Sequence, residues 1–284
     1  MLSWEYTPYI VGGMGKHVVE LVPQLVDDGV EVHLVVPRLG GGAPVEPLLM
    51  PDGSPATNGS LVHRVGVSGV QSDVFTNAWH DNILVQDYCI DLIKREGNFD
   101  LIHDHDWLSG FAATSLKHEF RLPLVATIHA TEMGRNHGHL YSEMQRLIHQ
   151  AEWWLTYEAW RVITCSEYMR WEVETYFAAP RSKVDVIPNG VDPRRFDALR
   201  GNDLSQFRLA FAMPDQPIVY NVGRMVPEKG LSVLIDAVPL VLREWPGVRF
   251  VLAGEGQLAG ESGVQLHARR FPPVAAIPQR FRMD

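Results

Sequence analysis

Cysteines are scarce in this sequence: there are only two, Cys89 and Cys165, and they lie far apart along the chain. A scaffold held together by disulfides needs several paired cysteines, so that class of secreted protein is excluded and a reducing compartment is expected. The N-terminal residues lack the basic segment and apolar stretch of a secretory signal, which makes the cytoplasm the default expectation for localisation.

Long apolar runs and an excess of basic residues are also lacking. No stretch approaches the roughly 20 consecutive apolar residues that a transmembrane helix requires, so we expect no membrane span. The formal net charge is -9. Because non-specific binding to nucleic acid depends on neutralising phosphates with Lys and Arg, a nucleic-acid partner is not expected.

The motifs of three large enzyme classes are missing. No Gly-x-Ser-x-Gly nucleophile elbow and no Walker A loop occurs, so nothing marks a covalent nucleophile or a P-loop nucleotidase. The loop Gly12-Gly13-Met14-Gly15 has the order Gly-Gly-x-Gly, which differs from the G-x-G-x-x-G of dinucleotide-binding folds. A nicotinamide dehydrogenase is therefore disfavoured, and the loop is either a ligand-binding turn or a tight turn without a ligand.

The chain does contain a regular alternation of strand and helix patterns. Short apolar runs alternate with segments whose apolar residues recur at helical spacing, which predicts an α/β fold with a mostly parallel sheet covered on both faces. Residues 40–59 are rich in Gly and Pro and are predicted to form an exposed loop, and Pro23 is expected to bend or break the first helix. The predicted strands are residues 30–36, 61–67, 99–103, 124–129, 162–165, 184–187, 218–222 and 249–253, and the main helices are residues 18–29, 81–96, 108–120, 141–160, 167–177, 203–212 and 231–245.

The turn-forming residues 188–193 mark a boundary between two domains. Residues 1–190 are predicted to form the first α/β domain, and residues 191–256 begin a second one that contains a single βαβ unit. Residues 257–284 change in composition towards Arg and Pro, and we expect an irregular tail there.

The second βαβ unit opens with the stretch that suggests a ligand most directly. The strand of residues 218–222 is followed by Gly223, Arg224, Lys229 and Gly230 before a helix begins. The loop after a parallel strand lies at the carboxyl edge of the sheet, where open α/β folds bind ligands. Two cations, a glycine and a helix N-terminus suit a phosphate-rich ligand. The alternative is an ordinary turn with a solvated Arg and Lys.

Histidines follow two strands of the first domain. His103-Asp104-His105-Asp106-Trp107 ends one strand and His129 ends the next, so both groups are expected at one sheet edge. The spacing does not fit a dinuclear metal motif, because Trp107 stands where an acidic ligand is required, and we expect no metal site. A cluster that hydrogen bonds hydroxyl-rich ligands is favoured, and capping of the next helix by Asp106 or Ser109 is the alternative.

Three tryptophans, Trp153, Trp154 and Trp160, lie on or beside one predicted helix. Their helical spacing favours a place in the hydrophobic core, and a carbohydrate-binding platform is the less favoured interpretation.

Taken in order, these motifs resemble the retaining GT-B glycosyltransferases of family four, and within it the glycogen and starch synthase branch. The resemblance extends from about residue 2 to residue 256. It is carried by Ser3-Trp4-Glu5-Tyr6 with Pro8 and Gly12-Gly13-Met14-Gly15, His103-Asp104-His105-Asp106-Trp107, Thr127-Ile128-His129, Ser166-Glu167, Val186-Ile187-Pro188-Asn189-Gly190-Val191-Asp192, Val222-Gly223-Arg224 with Glu228-Lys229-Gly230, and Ala253-Gly254-Glu255-Gly256.

The resemblance implies a hexosyltransferase with two Rossmann-like domains, an acceptor side and a nucleotide-sugar donor side, that works without a metal ion or other cofactor. By this resemblance Arg224 and Lys229 contact the donor diphosphate, the backbone of Gly12, Gly13 and Gly15 approaches the same phosphates, and His129 lies beside the donor sugar. His105 and Asp106 match the acceptor-side element. His129, Arg224 and Lys229 form the implied catalytic set. The implied donor is ADP-glucose or UDP-glucose, and the implied acceptor is an α-1,4-glucan or related oligo- or polysaccharide.

The chain departs from the family pattern in three respects. The first strand is represented only by Met1 and Leu2, the donor domain stops early, and no Glu-x7-Glu element follows Gly256. We therefore expect a truncated donor domain, from a fragment or a shifted reading frame, with weak stability from Leu231 onward unless a partner covers it. The alternative to an active transferase is an inactive remnant that binds carbohydrate or a protein partner. No motif specifies the oligomeric state.

Overall fold

The computed structural model describes residues 1–68, 73–259 and 274–277, and the chain divides into two compact units, Met1–Gly190 and Val191–Asp284. Both units are built from parallel β-sheets and α-helices, so the predicted α/β fold is confirmed. None of the helices in the described ranges is both long and apolar enough to cross a membrane.

Unit 1 contains a mostly parallel sheet. Strands β4, β5, β6 and β7 run parallel in that order, β1 pairs with β3 in parallel, and the short β2 is antiparallel to β3. Leu2 forms isolated bridges to Val35 of β1 and Asp104 of β4, which joins the two groups of strands. The strands are β1 His33–Pro37, β2 Val45–Pro47, β3 Leu61–Val65, β4 Ile102–His105, β5 Leu124–Ile128, β6 Arg161–Thr164 and β7 Val184–Val186.

Capping side chains fix where several helices of unit 1 begin. The Asp73 carboxylate accepts hydrogen bonds from the amides of Phe75 and Thr76, both at 3.0 Å, and Ser142 forms a reciprocal capping box with Gln145. Ser166 caps the helix that follows β6. The helices are α1 Gly13–Asp27, α2 Val74–Glu96, α3 Gly110–Phe120, α4 Glu132–Arg135, α5 Glu143–Glu158 and α6 Glu167–Phe177.

Local departures from the predicted boundaries have local causes. Helix α2 begins at Val74 rather than at residue 81 because Asp73 supplies a cap ahead of the apolar pattern. Residues 40–59 are not entirely loop, since β2 pairs with the edge of β3. Helix α1 continues through Pro23, and strand β1 includes Pro37 rather than ending before it.

The main core of unit 1 lies between the sheet and the helices packed on it. Leu124, Ala126 and Ile128 of β5 are fully buried, as are the facing positions Ala112 and Leu116 of α3. Burial of this kind stabilises a fold by roughly 25 cal/mol per Å² of apolar surface removed from water. The core therefore holds the carboxyl ends of β4 and β5 in a fixed position, which matters for the side chains that follow them.

The three tryptophans are not core residues, and that prediction is wrong. Trp153, Trp154 and Trp160 are 41%, 38% and 65% exposed. Trp153 and Trp154 line a concave surface between α2, α3 and α5, together with Phe75, Trp79 and Phe111. Helical spacing indicates which side chains share a face of a helix, but it does not indicate whether another element covers that face.

Unit 2 contains a parallel sheet in the order β10, β9 and β8. Helix α8 packs its apolar residues Leu231, Ile235 and Val238 against Phe250 and Leu252. The described elements are α7 Ser205–Leu209, β8 Ile218–Val222, α8 Leu231–Glu244, β9 Arg249–Ala253 and β10 Val274–Ile277, with 3-10 turns at Pro193–Leu199, Pro227–Lys229 and Gln257–Ala259.

Strand β10 corrects the prediction of an irregular tail at residues 257–284. It pairs with β9, so unit 2 contains one more parallel strand than a single βαβ unit; residues 260–273 and 278–284 lie outside the described residues. Tyr220 and Val222 of β8 are 74% and 72% exposed. The packing of α8 therefore covers only part of this sheet, and weak stability of the region from Leu231 onward stays a prediction.

Candidate functional site

The carboxyl ends of β4 and β5 bring His105, Asp106 and His129 together. The Nδ1 atom of His105 lies 3.1 Å from Nε2 of His129, and the two rings stack with centroids 5.4 Å apart. The amide of His129 donates a 2.8 Å hydrogen bond to Oδ1 of Asp106. The structure thus places these three predicted residues at one edge of the sheet of unit 1.

Asp106 holds the backbone that presents His129 and does not cap α3. Its φ of +62° lies in the left-handed region, which is costly for a residue other than glycine and persists only where the surroundings enforce it. Ser109, the other proposed cap, instead donates to Oδ1 of the buried Asp104 at 2.7 Å. The strained conformation aims the Asp106 carboxylate at the loop after β5, so the helix-cap alternative is wrong.

His17 belongs to this site and was missed in the sequence. Helix α1 places its ring 4.8 Å from that of His129 and 5.5 Å from that of His105, and the Asn189 side chain lies beside its imidazole. The signal that could have found it is its spacing: His17 follows Gly13 by four residues, so one helical turn separates it from the glycine-rich loop. We name His17, His105 and His129 the histidine triad.

Burial keeps the interior of the site uncharged at neutral pH. Desolvation lowers the pKa of His103 to about 3 and that of His105 well below its usual value, so both imidazoles are neutral. Desolvation also raises the pKa of Asp104 to about 8, which retains its proton at pH 7. Neutral imidazoles can both donate and accept hydrogen bonds, which suits a ligand that is rich in hydroxyl groups.

Cys165 borders the site without the properties of a nucleophile. Its Sγ lies 3.9 Å from Nδ1 of His129 and donates to Oδ1 of Asn189 at 3.2 Å. Desolvation raises the pKa of the Cys165 thiol, whereas a reactive cysteine needs a lowered pKa. We therefore interpret Cys165 as a residue that helps to position the His129 ring and the Asn189 amide.

The loop after His129 is fixed by a buried carboxylate. Oε2 of Glu152 accepts the amide of Glu132 at 2.8 Å, and its Oε1 lies 3.3 Å from a guanidinium nitrogen of Arg135. Glu152 is 1% exposed. Thr131 also caps the short helix α4 by accepting the amide of Gly134. These contacts anchor the residues directly after His129 to helix α5.

We predict that Glu152 makes the stability of the protein fall as pH rises from about 5 to 8. Desolvation raises its pKa from 4.5 to about 8, against smaller opposite effects of Arg135 and the Glu132 amide. In this window the folded state retains a proton that the unfolded state has lost, so the free energy of unfolding decreases with pH, by at most about 1.4 kcal/mol per pH unit. Above pH 8 both states are ionised and the contribution is constant.

Urea unfolding of wild type and Glu152→Gln at several pH values measures this contribution. Glutamine can accept the same amide and cannot titrate, so the variant should lose part of the pH dependence between pH 5 and 8. Equal pH profiles for the two proteins would contradict the prediction. Electrostatic interactions with Asp106 and Glu132 also raise the pKa of Glu152. Both residues are present in the wild type and in the variant, so the comparison isolates Glu152.

The glycine-rich loop at the start of α1 is held by Glu5. Oε2 of Glu5 accepts hydrogen bonds from the amides of Val11 and Gly12, each at 2.9 Å. A Cβ atom at Gly15 would lie 2.7 Å from the same oxygen, whereas one at Gly12 or Gly13 would meet nothing within 4 Å. The Gly12 amide therefore binds a carboxylate of this chain, and the Glu5 side chain leaves no room for a Cβ atom at Gly15. Open space through which a phosphate could approach the helix N-terminus lies beside Gly12 and Gly13.

We expect Glu5→Ala to lower the free energy of unfolding by about 1–2 kcal/mol, because two hydrogen bonds to a charged acceptor are lost and one of the amides is exposed. Denaturant unfolding measures the effect. Glu119→Ala, an exposed glutamate of α3, is the matched control and should leave stability within about 0.5 kcal/mol of wild type. A loss no greater than that of the control would show that Glu5 does not order the loop.

In unit 2, Arg224 and Lys229 lie on the loop between β8 and α8. Arg224 is 49% exposed on its side chain and forms an ion pair with Glu228 at 3.3 Å. Lys229 is exposed, and within the described ranges no carboxylate lies within 4 Å of its ammonium group. The adjoining loop after β9 packs closely, since a Cβ at Gly254 would lie 1.8 Å from the Gly223 carbonyl oxygen. Both cations are thus presented to solvent on a tightly packed pair of loops.

Comparisons with known proteins agree with this arrangement of elements. The sequence profile described as Glycosyltransferase Family 4 matches residues 11–195. An uncharacterized glycosyltransferase of Methanocaldococcus jannaschii is 34% identical over 91% of this chain and 63% of its own length. A glycogen synthase of Mycobacterium tuberculosis is 31% identical over 90% of this chain and 61% of its own length. The chain thus spans about three fifths of these curated relatives.

Among solved structures, a sucrose-phosphate synthase from Thermosynechococcus elongatus matches the fold. The TM-score is 0.73, with 18% sequence identity over 98% of this chain and 69% of that protein. This similarity supports the predicted GT-B type of α/β fold.

Proposed function

The chain belongs to glycosyltransferase family 4, and from this premise we propose that it transfers a hexose, glucose, from a nucleotide-sugar donor to an α-glucan or related acceptor. The transfer retains the anomeric configuration and needs no metal ion. The observation that carries the proposal is the convergence of His105, Asp106 and His129 at the carboxyl edge of the sheet of unit 1.

The donor half of the proposal rests on the charges of unit 2. When the nucleotide leaves, its diphosphate gains negative charge, and without a metal ion cations and backbone amides must stabilise that charge. Arg224 and Lys229 are exposed on one loop, and their positive charges can stabilise the diphosphate. The open space beside Gly12 and Gly13 at the start of α1 gives the amides of that helix N-terminus the same capability.

The acceptor half rests on the uncharged interior of the histidine site. Sugar hydroxyls are neutral, and groups that donate and accept hydrogen bonds recognise them without the desolvation cost of a buried charge. His105 offers its ring nitrogens to the acceptor, and Asp106, which follows it in the chain, binds the backbone amide of His129. The 31% identity to a glycogen synthase favours glucose as the sugar and an α-glucan as the acceptor.

Transfer of labelled glucose onto glycogen by the purified 284-residue chain tests the proposal. ADP-glucose and UDP-glucose are compared as donors, a chelator is added to one series, and the product is digested with an enzyme that cleaves only α-1,4 bonds. We expect incorporation with one donor preferred, no effect of the chelator, and release of the label by digestion. A folded chain that incorporates no glucose from either donor contradicts the proposal.

A further inference from the structure

The histidine triad offers ligands of a kind that transition metals prefer. One ring nitrogen from each of His17, His105 and His129 lies within 4.8 Å of the other two. Imidazole nitrogen is a favoured ligand of Zn²⁺, Cu²⁺ and Ni²⁺ and a poor match for Mg²⁺ or Ca²⁺. We propose that the triad binds one Zn²⁺ ion and that this bound ion inhibits the enzyme and takes no part in the reaction.

The distances support a site of this size. Zn–N bonds of about 2.0–2.1 Å bring tetrahedral ligands to within roughly 3.4 Å of one another. The His105 and His129 nitrogens are already 3.1 Å apart. His17 and His129 are partly exposed, and rotation of their side chains can close the remaining distance. Three protein nitrogens leave a fourth position for water.

Burial and supporting contacts distinguish the triad from a chance group of surface histidines. His105 is fully buried, so the surrounding core holds in place its Nδ1, the nitrogen that lies 3.1 Å from Nε2 of His129. Groups that contact the other nitrogens of metal-binding histidines orient the rings. Here Asn189 contacts His17, and Cys165 lies 3.9 Å from Nδ1 of His129.

The expected consequence is inhibition by zinc. A metal on the triad occupies the imidazoles that face the sugar in the proposed function, so a bound ion and a bound substrate compete. This consequence rests on the proposed function, whereas metal binding itself does not.

Titration of the metal-free chain with Co²⁺ tests the binding step without any sugar. Four-coordinate Co²⁺ absorbs visible light strongly, so we expect a spectrum that saturates at one equivalent and is abolished by Zn²⁺. Loss of a supporting contact costs metal sites about 10–100-fold in affinity, so His17→Ala, which removes a ligand, should cost at least about 100-fold. His80→Ala, an exposed histidine of α2, is the matched control and should bind as wild type does.

Two further variants keep the test decisive. His129→Gln provides a second ligand variant if His17→Ala does not fold by circular dichroism. Cys165→Ala should keep the shape of the Co²⁺ spectrum, because the thiol is not one of the ligands, and should lose no more than about 100-fold in affinity, the cost of a supporting contact. Absence of saturable binding, or equal affinity in wild type and the ligand variants, would overturn the proposal.

The transfer assay separates this proposal from the proposed function. If Zn²⁺ blocks the triad, glucose transfer at substrate concentrations well below the Michaelis constants should be inhibited with a midpoint equal to the Zn²⁺ dissociation constant of the same protein, and the midpoint should rise as the competing substrate is increased. A chain that binds Co²⁺ at the triad and transfers no glucose contradicts only the proposed function. A chain that transfers glucose at an unchanged rate with Zn²⁺ on the triad contradicts the inhibitory role.

Discussion

We expect Lys229→Ala to lower the rate constant of glucose transfer by about 10²–10³-fold, the usual effect of removing one group that stabilises charge in a transition state. The ammonium group of Lys229 is exposed and makes no ion pair within the described ranges, so its charge is available to a diphosphate. Arg224 is already paired with Glu228 at 3.3 Å, and its replacement should therefore have a smaller effect.

Steady-state kinetics with the preferred donor, together with titration of its nucleoside diphosphate, measures the change. Arg243→Ala removes an exposed cation from α8 of the same unit and is the matched control; it should leave rate and affinity unaltered. A Lys229→Ala chain with the wild-type rate and donor affinity would exclude the phosphate role.

The salt dependence of donor binding provides a second readout of the same charge. Screening weakens interactions between exposed ions beyond about 10 Å at 0.1 M ionic strength. The dissociation constant of the wild type should rise with added salt, and that of Lys229→Ala should rise less. Equal salt dependence in both proteins would indicate that the lost interaction is not electrostatic.

The elements of both units were predictable because their signals are local. Strand β8, strand β9 and helix α6 match their predicted ranges residue for residue, since each is a run of one period bounded by a turn or a capping residue. The juxtaposition of His105 and His129 also followed from the sequence, because parallel neighbours end at the same edge of a sheet.

The missed features depend on contacts between segments that are distant in sequence. His17 reaches the site because α1 brings its ring beside those of His105 and His129, and its spacing from Gly13 indicates only that it lies near the glycine-rich loop. The Glu5 carboxylate on the Gly12 amide is likewise a product of loop geometry. The exposure of Trp154 was also missed, because periodicity identifies a face of a helix but not what covers that face.

His129→Ala is expected to lower the rate constant of transfer by about 10²–10³-fold with little change in stability. In the proposed function the ring supplies a polar group where charge develops on the donor sugar, and removal of such a group costs that much in comparable sites. The fold should tolerate the change because Asp106 binds the backbone amide of residue 129 rather than the ring. Among the described residues, the ring contacts that the variant loses are those to His105, His17 and Cys165.

Comparison with an exposed histidine between α4 and α5 separates a role in transfer from a role in the structure of the segment after β5. His139→Ala removes a ring that contacts Tyr141 at 5.8 Å and no member of the triad, and it should leave the rate unchanged. If His129 acts on the transition state, its variant should lose rate constant and specificity constant in equal proportion while the Michaelis constant stays constant. A rise in the Michaelis constant alone would assign His129 to ground-state binding, and an unaltered rate would remove it from the reaction.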